Sequence, residues 1–368
     1  MASDIKVGIV GAAGRGSAFF SAFDDNPLCA VTAVCDLNEE RLAQTAAENH
    51  IEQVYTDYAE MLDRSGVDAV VVGTPMHLHA SQSIMALKRG IHVLSEVTAA
   101  ISIEECRQLA KAARESRATY MMAENCCYFR QNVIVREITR AGLFGELYLG
   151  SGEYVHAVSS LNEPHMWRRR WHTGINGNTY CTHSLGPVYQ WFGGQRVTSV
   201  CCFGSGNHYR DLEGKPFENE DSTFTACRLE GGGLVNLRLD MLSNRPTSGN
   251  CYMLQGTQGC YESGRGFGDK DRIHLSDRHE PEQWQALDEL AEEFLPDHWL
   301  KLPQAALASG HFGSDYMVAA DFINSVANST PPPIGIHETL DLTLTGLASQ
   351  ESIARGSVWV DVPDSREF

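Results

Sequence analysis

The sequence predicts an α/β protein, with an N-terminal doubly wound parallel sheet of the Rossmann type followed by an α+β domain built on a large, mainly antiparallel open sheet. Three observations predict it. Short apolar runs alternate with amphipathic stretches through the first third of the chain, as strands covered on both faces by crossover helices do. A glycine-rich turn, Gly11-Ala12-Ala13-Gly14-Arg15-Gly16, directly follows the first of those runs. Beyond about residue 125 the strand-like segments lengthen and are joined by short glycine turns, as hairpins are. At 368 residues the chain exceeds what one hydrophobic core usually supports, so two domains with a cleft for a small ligand are expected. They are residues 1–125 and 126–368, with the C-terminal helices packing back on the first.

In chain order, the apolar runs Ile5 to Val10, Ala30 to Cys35, Asp68 to Val72, His92 to Leu94 and Thr119 to Met122 read as buried strands. Helical patterns fill the gaps at Asn38 to Asn49, His79 to Arg89 and Ile103 to Ser116. One more helix, Asn132 to Ala141, precedes strand-like segments near Leu147 to His156, Val197 to Phe203, Ser222 to Leu229, Leu234 to Met241 and Cys251 to Gln255. Glu230 to Gly233 and Gly256 to Gly259 read as hairpin turns between them. Helical patterns at Ser314 to Asn328 and His337 to Arg355 close the chain across Pro331-Pro332-Pro333. An open sheet seeks a partner, so a homo-oligomer is expected.

The formal net charge of -18 repels phosphates and anionic lipid, and Arg168-Arg169-Arg170 is the one basic run, so nucleic-acid and membrane-surface partners are excluded. A start without a signal-peptide pattern, and apolar runs short of the ~20 residues that span a bilayer, point to the cytoplasm. The eleven cysteines are odd in number and none sits in C-x-x-C spacing, so reduced, mostly buried thiols are expected. Cys126-Cys127 and Cys201-Cys202 read as strand neighbours pointing to opposite faces. The fourteen histidines show no H-E-x-x-H or comparable spacing, and no metal is expected.

The strand, glycine turn and helix that carry Gly11, Gly14 and Gly16 let backbone N–H groups approach a pyrophosphate, although Ala13 takes the second glycine position of G-x-G-x-x-G. Asp36, at the end of the second strand, would accept hydrogen bonds from ribose hydroxyls and repel a 2′-phosphate. Alone, it reads more readily as a cap for the helix after it. Together the two features predict NAD rather than NADP.

Val71-Val72-Gly73-Thr74-Pro75, His79, Ala86-Leu87-Lys88-Arg89-Gly90-Ile91-His92-Val93-Leu94 and Glu96 follow in order through the first domain. On these residues the chain resembles the glucose–fructose oxidoreductase and inositol dehydrogenase (Gfo/Idh/MocA) family. Members of that family carry lysine and proline after the glutamate, and the lysine helps move a substrate proton. Here the motif is Glu96-Val97-Thr98-Ala99, and valine carries no exchangeable proton. The altered motif resembles the branch of NAD-dependent α-N-acetylgalactosaminidases. So do Glu124-Asn125-x-x-Tyr128-x-Arg130, Tyr180-x-Thr182-His183-x-Leu185-Gly186-Pro187 and Gly310-His311-x-Gly313-x-Asp315-Tyr316.

The resemblance implies that Arg15, Gly16, Asp36, Thr74, Met76, His77, His79, Glu96, Val97 and Asn125 lie against NAD. It implies that Tyr154, Arg168, Tyr180, Thr182 and His183 face a sugar. Ser184 for glycine, Cys181 for proline and Thr247 for tyrosine depart from the branch and leave the sugar open. It also implies a chemistry: a C3 hydroxyl is oxidised transiently, the C2 proton becomes acidic, and the C1 substituent is expelled.

Histidine suits a proton acceptor at neutral pH because its ordinary pKa is about 6.5. His183 is therefore expected to serve the substrate hydroxyl, and Tyr128 or Tyr180 the C2 proton. Each has a plainer reading. His183 would equally satisfy backbone groups at a helix entrance, Tyr128 would be a strand aromatic, and Arg168 a solvated charge beside Trp167. Three functions stay open: a redox-neutral glycosidase, a sugar dehydrogenase with net NADH formation, and a non-catalytic NAD-bound sugar-binding protein.

Overall fold

A computed structural model describes residues 5–23, 26–162, 165–244, 249–266 and 268–368. Thr247 lies outside them. The chain divides into two units. The first comprises Met1–Tyr128, Leu302–Leu340 and Ser365–Phe368, and the second Phe129–Lys301 and Asp341–Asp364. Two stretches from the C-terminal part of the chain, Leu302–Leu340 and Ser365–Phe368, are counted with the first unit. The helix Ser314–Asn328 packs on the turn Asn125–Tyr128 and on Phe20–Phe23, which draws its segment into the first unit.

The first unit holds one sheet of β1 (Ile5–Val10), β2 (Cys29–Cys35), β3 (Gln53–Tyr55), β4 (Ala69–Val72), β5 (His92–Ser95) and β6 (Tyr120–Met122). The strands are all parallel, in the order β3-β2-β1-β4-β5-β6. Register aligns Val10 with Cys35 and with Val72, so the residues that follow, Gly11, Asp36 and Gly73, share the carboxyl edge of the sheet. That edge is where ligands of such sheets bind.

β3 and the helix Tyr58–Arg64 went unread in the sequence, because three residues are too few to show a period. The helix Glu39–Glu48 is capped by Asn38, whose side chain accepts from Arg41 N at 3.1 Å. The cap role considered for Asp36 thus falls to Asn38. Asn125–Tyr128 is a 3₁₀ turn rather than a strand, held by Glu124, whose Oε1 accepts from Cys126 N at 3.1 Å. All eleven cysteines are free thiols and ten are buried. No helix among the described residues is long and apolar enough to cross a membrane.

The second unit is built on nine strands. They are β7 (Leu147–Val155), β8 (Val197–Gly204), β9 (Ser222–Leu229), β10 (Leu234–Asp240), β11 (Gly249–Gly256), β12 (Gly259–Glu262), β13 (Arg272–Leu275), β14 (Gln285–Ala286) and β15 (Val360–Asp361). Their order is β14-β13-β12-β11-β7-β10-β9-β8-β15. Every pairing is antiparallel except β7 with β10, which makes the sheet mixed. A parallel pair needs a long crossover, and the connection from β7 to β10 supplies one through the helix Cys181–Trp191.

That helix lies on β7, β10 and β11. It comes close because β7 presents Gly150 and Gly152 toward it. A Cβ at Gly150 would stand 2.7 Å from Val188 Cγ1, and one at Gly152 only 1.9 Å from Ser184 O. Behind the helix, Tyr189 donates to Asp341 Oδ2 at 2.9 Å. Asn178 N and Cys202 N donate to Ser349 Oγ and Ser352 Oγ, both at 2.9 Å.

Candidate active site

The glycine turn is shaped by close backbone packing. Gly11 adopts φ +82°, a conformation side chains resist, and a Cβ there would lie 2.4 Å from Gly73 O. At Gly16 a Cβ would lie 2.7 Å from Gly11 O, so the start of the following helix is pressed onto the strand end. Gly14 is exposed, and its nearest such neighbour is 3.7 Å away. Two glycines thus tighten the turn while the third leaves open backbone for a pyrophosphate. Asp36 fixes the same turn from β2, its Oδ2 accepting from Ala13 N at 2.9 Å and its Oδ1 from Asn38 N at 3.0 Å. The carboxylate is only partly buried. These residues fit a dinucleotide whose ribose diol meets a carboxylate.

Further along the edge, Arg15 joins residues distant in sequence. Its Nε pairs with Glu96 Oε1 at 2.8 Å, while its two terminal nitrogens grip Asp315 at 3.0 and 3.1 Å. His311 Nδ1 lies 3.0 Å from Asp315 Oδ2, and Asn125 Nδ2 donates to Asp315 Oδ1 at 3.4 Å. Burial alone would raise the Asp315 carboxyl. The His311 hydrogen bond and the Arg15 charge outweigh burial and hold it down at about 2. Val97, beside Glu96, is buried and its N donates to Glu96 Oε2 at 3.3 Å.

His79 lies between two carbonyl oxygens, Thr98 O on Nδ1 and Thr74 O on Nε2, each at 2.7 Å. Burial pushes its imidazole down, against those two carbonyls and nearby Glu96, which favour the protonated form. The ring lies between the end of β4 and the loop after β5. Thr74 donates to Gln82 Oε1 at 2.6 Å. Met76 and His77 begin the short 3₁₀ turn Met76–Leu78, with Met76 buried and His77 half-buried.

In the second unit, β7 continues its alternation from Gly150 and Gly152 to Tyr154 on the same face. The helix Cys181–Trp191 begins against that face with Tyr180 as its N-cap residue. Three rings meet there. The centroids of Tyr154 and His183 are 4.9 Å apart, those of Tyr180 and His183 4.8 Å, and those of Tyr154 and Tyr180 5.5 Å. His172, fully buried, packs edge-on against Tyr180 at 4.8 Å. Arg168 donates to its Nδ1 at 3.2 Å, which places the imidazole proton on Nε2. The Arg168 guanidinium also covers Trp167, 4.5 Å from its centroid. Thr182 Oγ1 and Arg168 Nε are buried with no hydrogen-bond partner among the described residues.

Tyr128 belongs to the first unit. It is 3% exposed and donates to Asp321 Oδ2 at 2.9 Å, clamping its turn to the helix Ser314–Asn328. The structure also brings in residues to which sequence reasoning gave no role. Asp315 and His311 stood in the motif Gly310 to Tyr316, with no role given to either. His172, and His156, which is hydrogen-bonded to Tyr154 Oη at 2.8 Å, are two more. For His156 the signal was its two-residue spacing from Tyr154.

The family model "Oxidoreductase family, NAD-binding Rossmann fold" matches residues 5–124, and "Glycosyl hydrolase 109, C-terminal domain" matches residues 128–367. A glycosyl hydrolase family 109 protein of Saccharopolyspora erythraea is 31% identical over 98% of this chain and 83% of its own length. An α-N-acetylgalactosaminidase of Shewanella oneidensis is 27% identical over 98% of this chain and 84% of its own. Among solved structures, levoglucosan dehydrogenase with NADH and levoglucosan superposes with a TM-score of 0.82 at 20% identity, covering 98% of this chain and 100% of that one. The WlbA dehydrogenase of Bordetella pertussis with NADH and UDP-GlcNAcA superposes at 0.80 with 21% identity, covering 98% of both chains. With a Gfo/Idh/MocA-type NAD-binding domain and a matching C-terminal domain, the chain belongs to glycosyl hydrolase family 109 and is an NAD-dependent enzyme of the oxidoreductase type.

Proposed function

We propose that the chain cleaves a small glycoside by transient oxidation of its C3 hydroxyl, with an α-N-acetylgalactosaminide as the first candidate substrate. One observation carries the reading. Tyr154, Tyr180 and His183 form a mutual ring cluster, and buried Thr182 Oγ1 and Arg168 Nε have no protein partner among the described residues. An apolar ring face with buried polar atoms left over suits a hydroxyl-rich ring, because a buried polar group is costly until something bonds it.

Gly11, Gly14, Arg15, Gly16 and Asp36 would hold the dinucleotide, with Thr74, Met76, His77, Glu96, Val97 and Asn125 along the same edge. NAD supplies a reversible hydride acceptor when bound. The chain's residues move the protons. His183 takes the C3 hydroxyl proton and later returns it. Tyr180 removes the C2 proton, with Arg168 behind it through His172 supplying the nearby cation that a tyrosine base requires. The C1 substituent leaves with the electron pair of its bond and takes up a proton; water adds its hydroxyl at C1, its proton making good the one the leaving group took, and Tyr180 returns a proton to C2. Val97 has no proton to give and Glu96 is ion-paired to Arg15, which favours this segment over Glu96-Val97 for acid–base work. Tyr128, already committed to Asp321, is assigned a structural role.

The test is incubation of the protein with NAD and aryl pyranosides in D2O, followed by absorbance at 340 nm and proton NMR. Released aglycone, deuterium at C2 and no lasting NADH are expected. Accumulating NADH with an intact glycosidic bond would replace this reading with that of a sugar dehydrogenase.

A further inference from the structure

We propose that Tyr252 is a positioning residue for His183, holding its main chain through a hydrogen bond that the helix itself cannot make. The proposal rests on the reading of His183 as the acid–base group. Four residues after His183 comes Pro187, inside the helix Cys181–Trp191. Proline has no N–H, and its ring crowds the carbonyl four residues back. The usual i+4 bond to His183 O therefore cannot form. Tyr252 Oη donates to that oxygen at 2.7 Å instead.

The donor is built into the sheet. Tyr252 of β11 pairs in register with Gly152 of β7. Gly152, by lacking a side chain, lets the Ser184 backbone settle onto the strand. Neighbouring positions on two strands thus provide the gap for the helix and the bond that fixes it. Tyr252 is itself held. It is 3% exposed, and Trp191 packs edge-on against it at 5.7 Å while donating through Nε1 to Asn132 O at 3.1 Å. The 183 backbone is consequently tied to the sheet at the residue whose ring meets Tyr154 and Tyr180. A small shift there swings the imidazole relative to the substrate, and misplacements of ~1 Å can cost about 100-fold in rate.

The experiment compares the full-length protein with Tyr252→Phe, which keeps the ring and removes only the hydroxyl. NAD affinity, kcat, Tm and the 15N-histidine NMR spectrum are measured, with the His183 signals assigned by their loss in His183→Asn. The expected result is a fall in kcat of about tenfold or more, unchanged NAD affinity, and displaced or broadened His183 ring signals. Ring signals that stay in place, or turnover within about twofold of the parent, overturn the proposal, even if Tm falls. If His183→Asn keeps full turnover, the acid–base reading fails, and the Tyr252→Phe ring signals alone then decide whether Tyr252 positions this residue.

Discussion

His183 and Asp36 carry the sharpest consequences of single side chains. His183 is 9% exposed and sits among aromatic rings on a helix whose backbone is tied to the sheet. Replacing it with Ala should lower kcat by a factor of about 10²–10⁴, the usual worth of a general acid–base group, while NAD binding by calorimetry stays at the parental value. At Asp36 the argument is one of charge. A carboxylate beside the turn excludes a 2′-phosphate, so Asp36→Ala should weaken NAD binding and narrow the preference for NAD over NADP. Titration of the variant with both dinucleotides measures this directly. An undiminished preference would mean that other residues set the choice.

At the scale of elements, the contact of the helix Cys181–Trp191 with β7 is set by what the strand lacks. A methyl group at Gly152 would meet Ser184 O at 1.9 Å, so the helix must lift or the strand must bend. Gly152→Ala should therefore destabilise the protein by about 1–3 kcal/mol, as overpacking does. It should also lower kcat by displacing His183, whereas Gly232→Ala, in the β9–β10 turn with nothing within 4 Å, should leave turnover near parental despite its φ of +93°. Denaturant melts and kinetics of the two variants separate packing from backbone strain.

For the molecule as a whole, two buried groups of the first unit, His79 and Asp315, contribute to the response to acid. His79 has a lowered pKa in the folded state, so below its ordinary 6.5 the unfolded chain takes up a proton that the folded chain resists. Its share of stability is present above pH 6.5 and is lost as pH falls. Asp315 goes down from 3.8 to about 2, so its contribution, about 2 kcal/mol, holds above pH 4 and is lost between there and pH 2. Unfolding free energy measured from pH 8 to 3 should begin to decline near neutrality. In His79→Gln the decline between pH 6.5 and 5 should be shallower, and in Asp315→Asn the loss below pH 4 should be smaller.

How much of this was legible depends on the distance along the chain over which each feature is encoded. The sequence by itself determined the parallel sheet, the turn Gly11–Gly16 with Asp36 beside it, and the hairpins at residues 230–233 and 256–259. In each, periodicity or a local turn fixes the backbone within a few tens of residues. It marked Tyr154, Tyr180 and His183 as residue types suited to chemistry without showing that their rings meet. Tertiary structure alone decided that Arg15 grips Asp315 across 300 positions of sequence, that Tyr128 is committed to Asp321, that β7 and β10 run parallel, and that Tyr252 reaches the His183 carbonyl. The reason is physical: a hydrophobic period states which face of an element is buried, whereas the partner on that face is chosen by the packing of the whole fold.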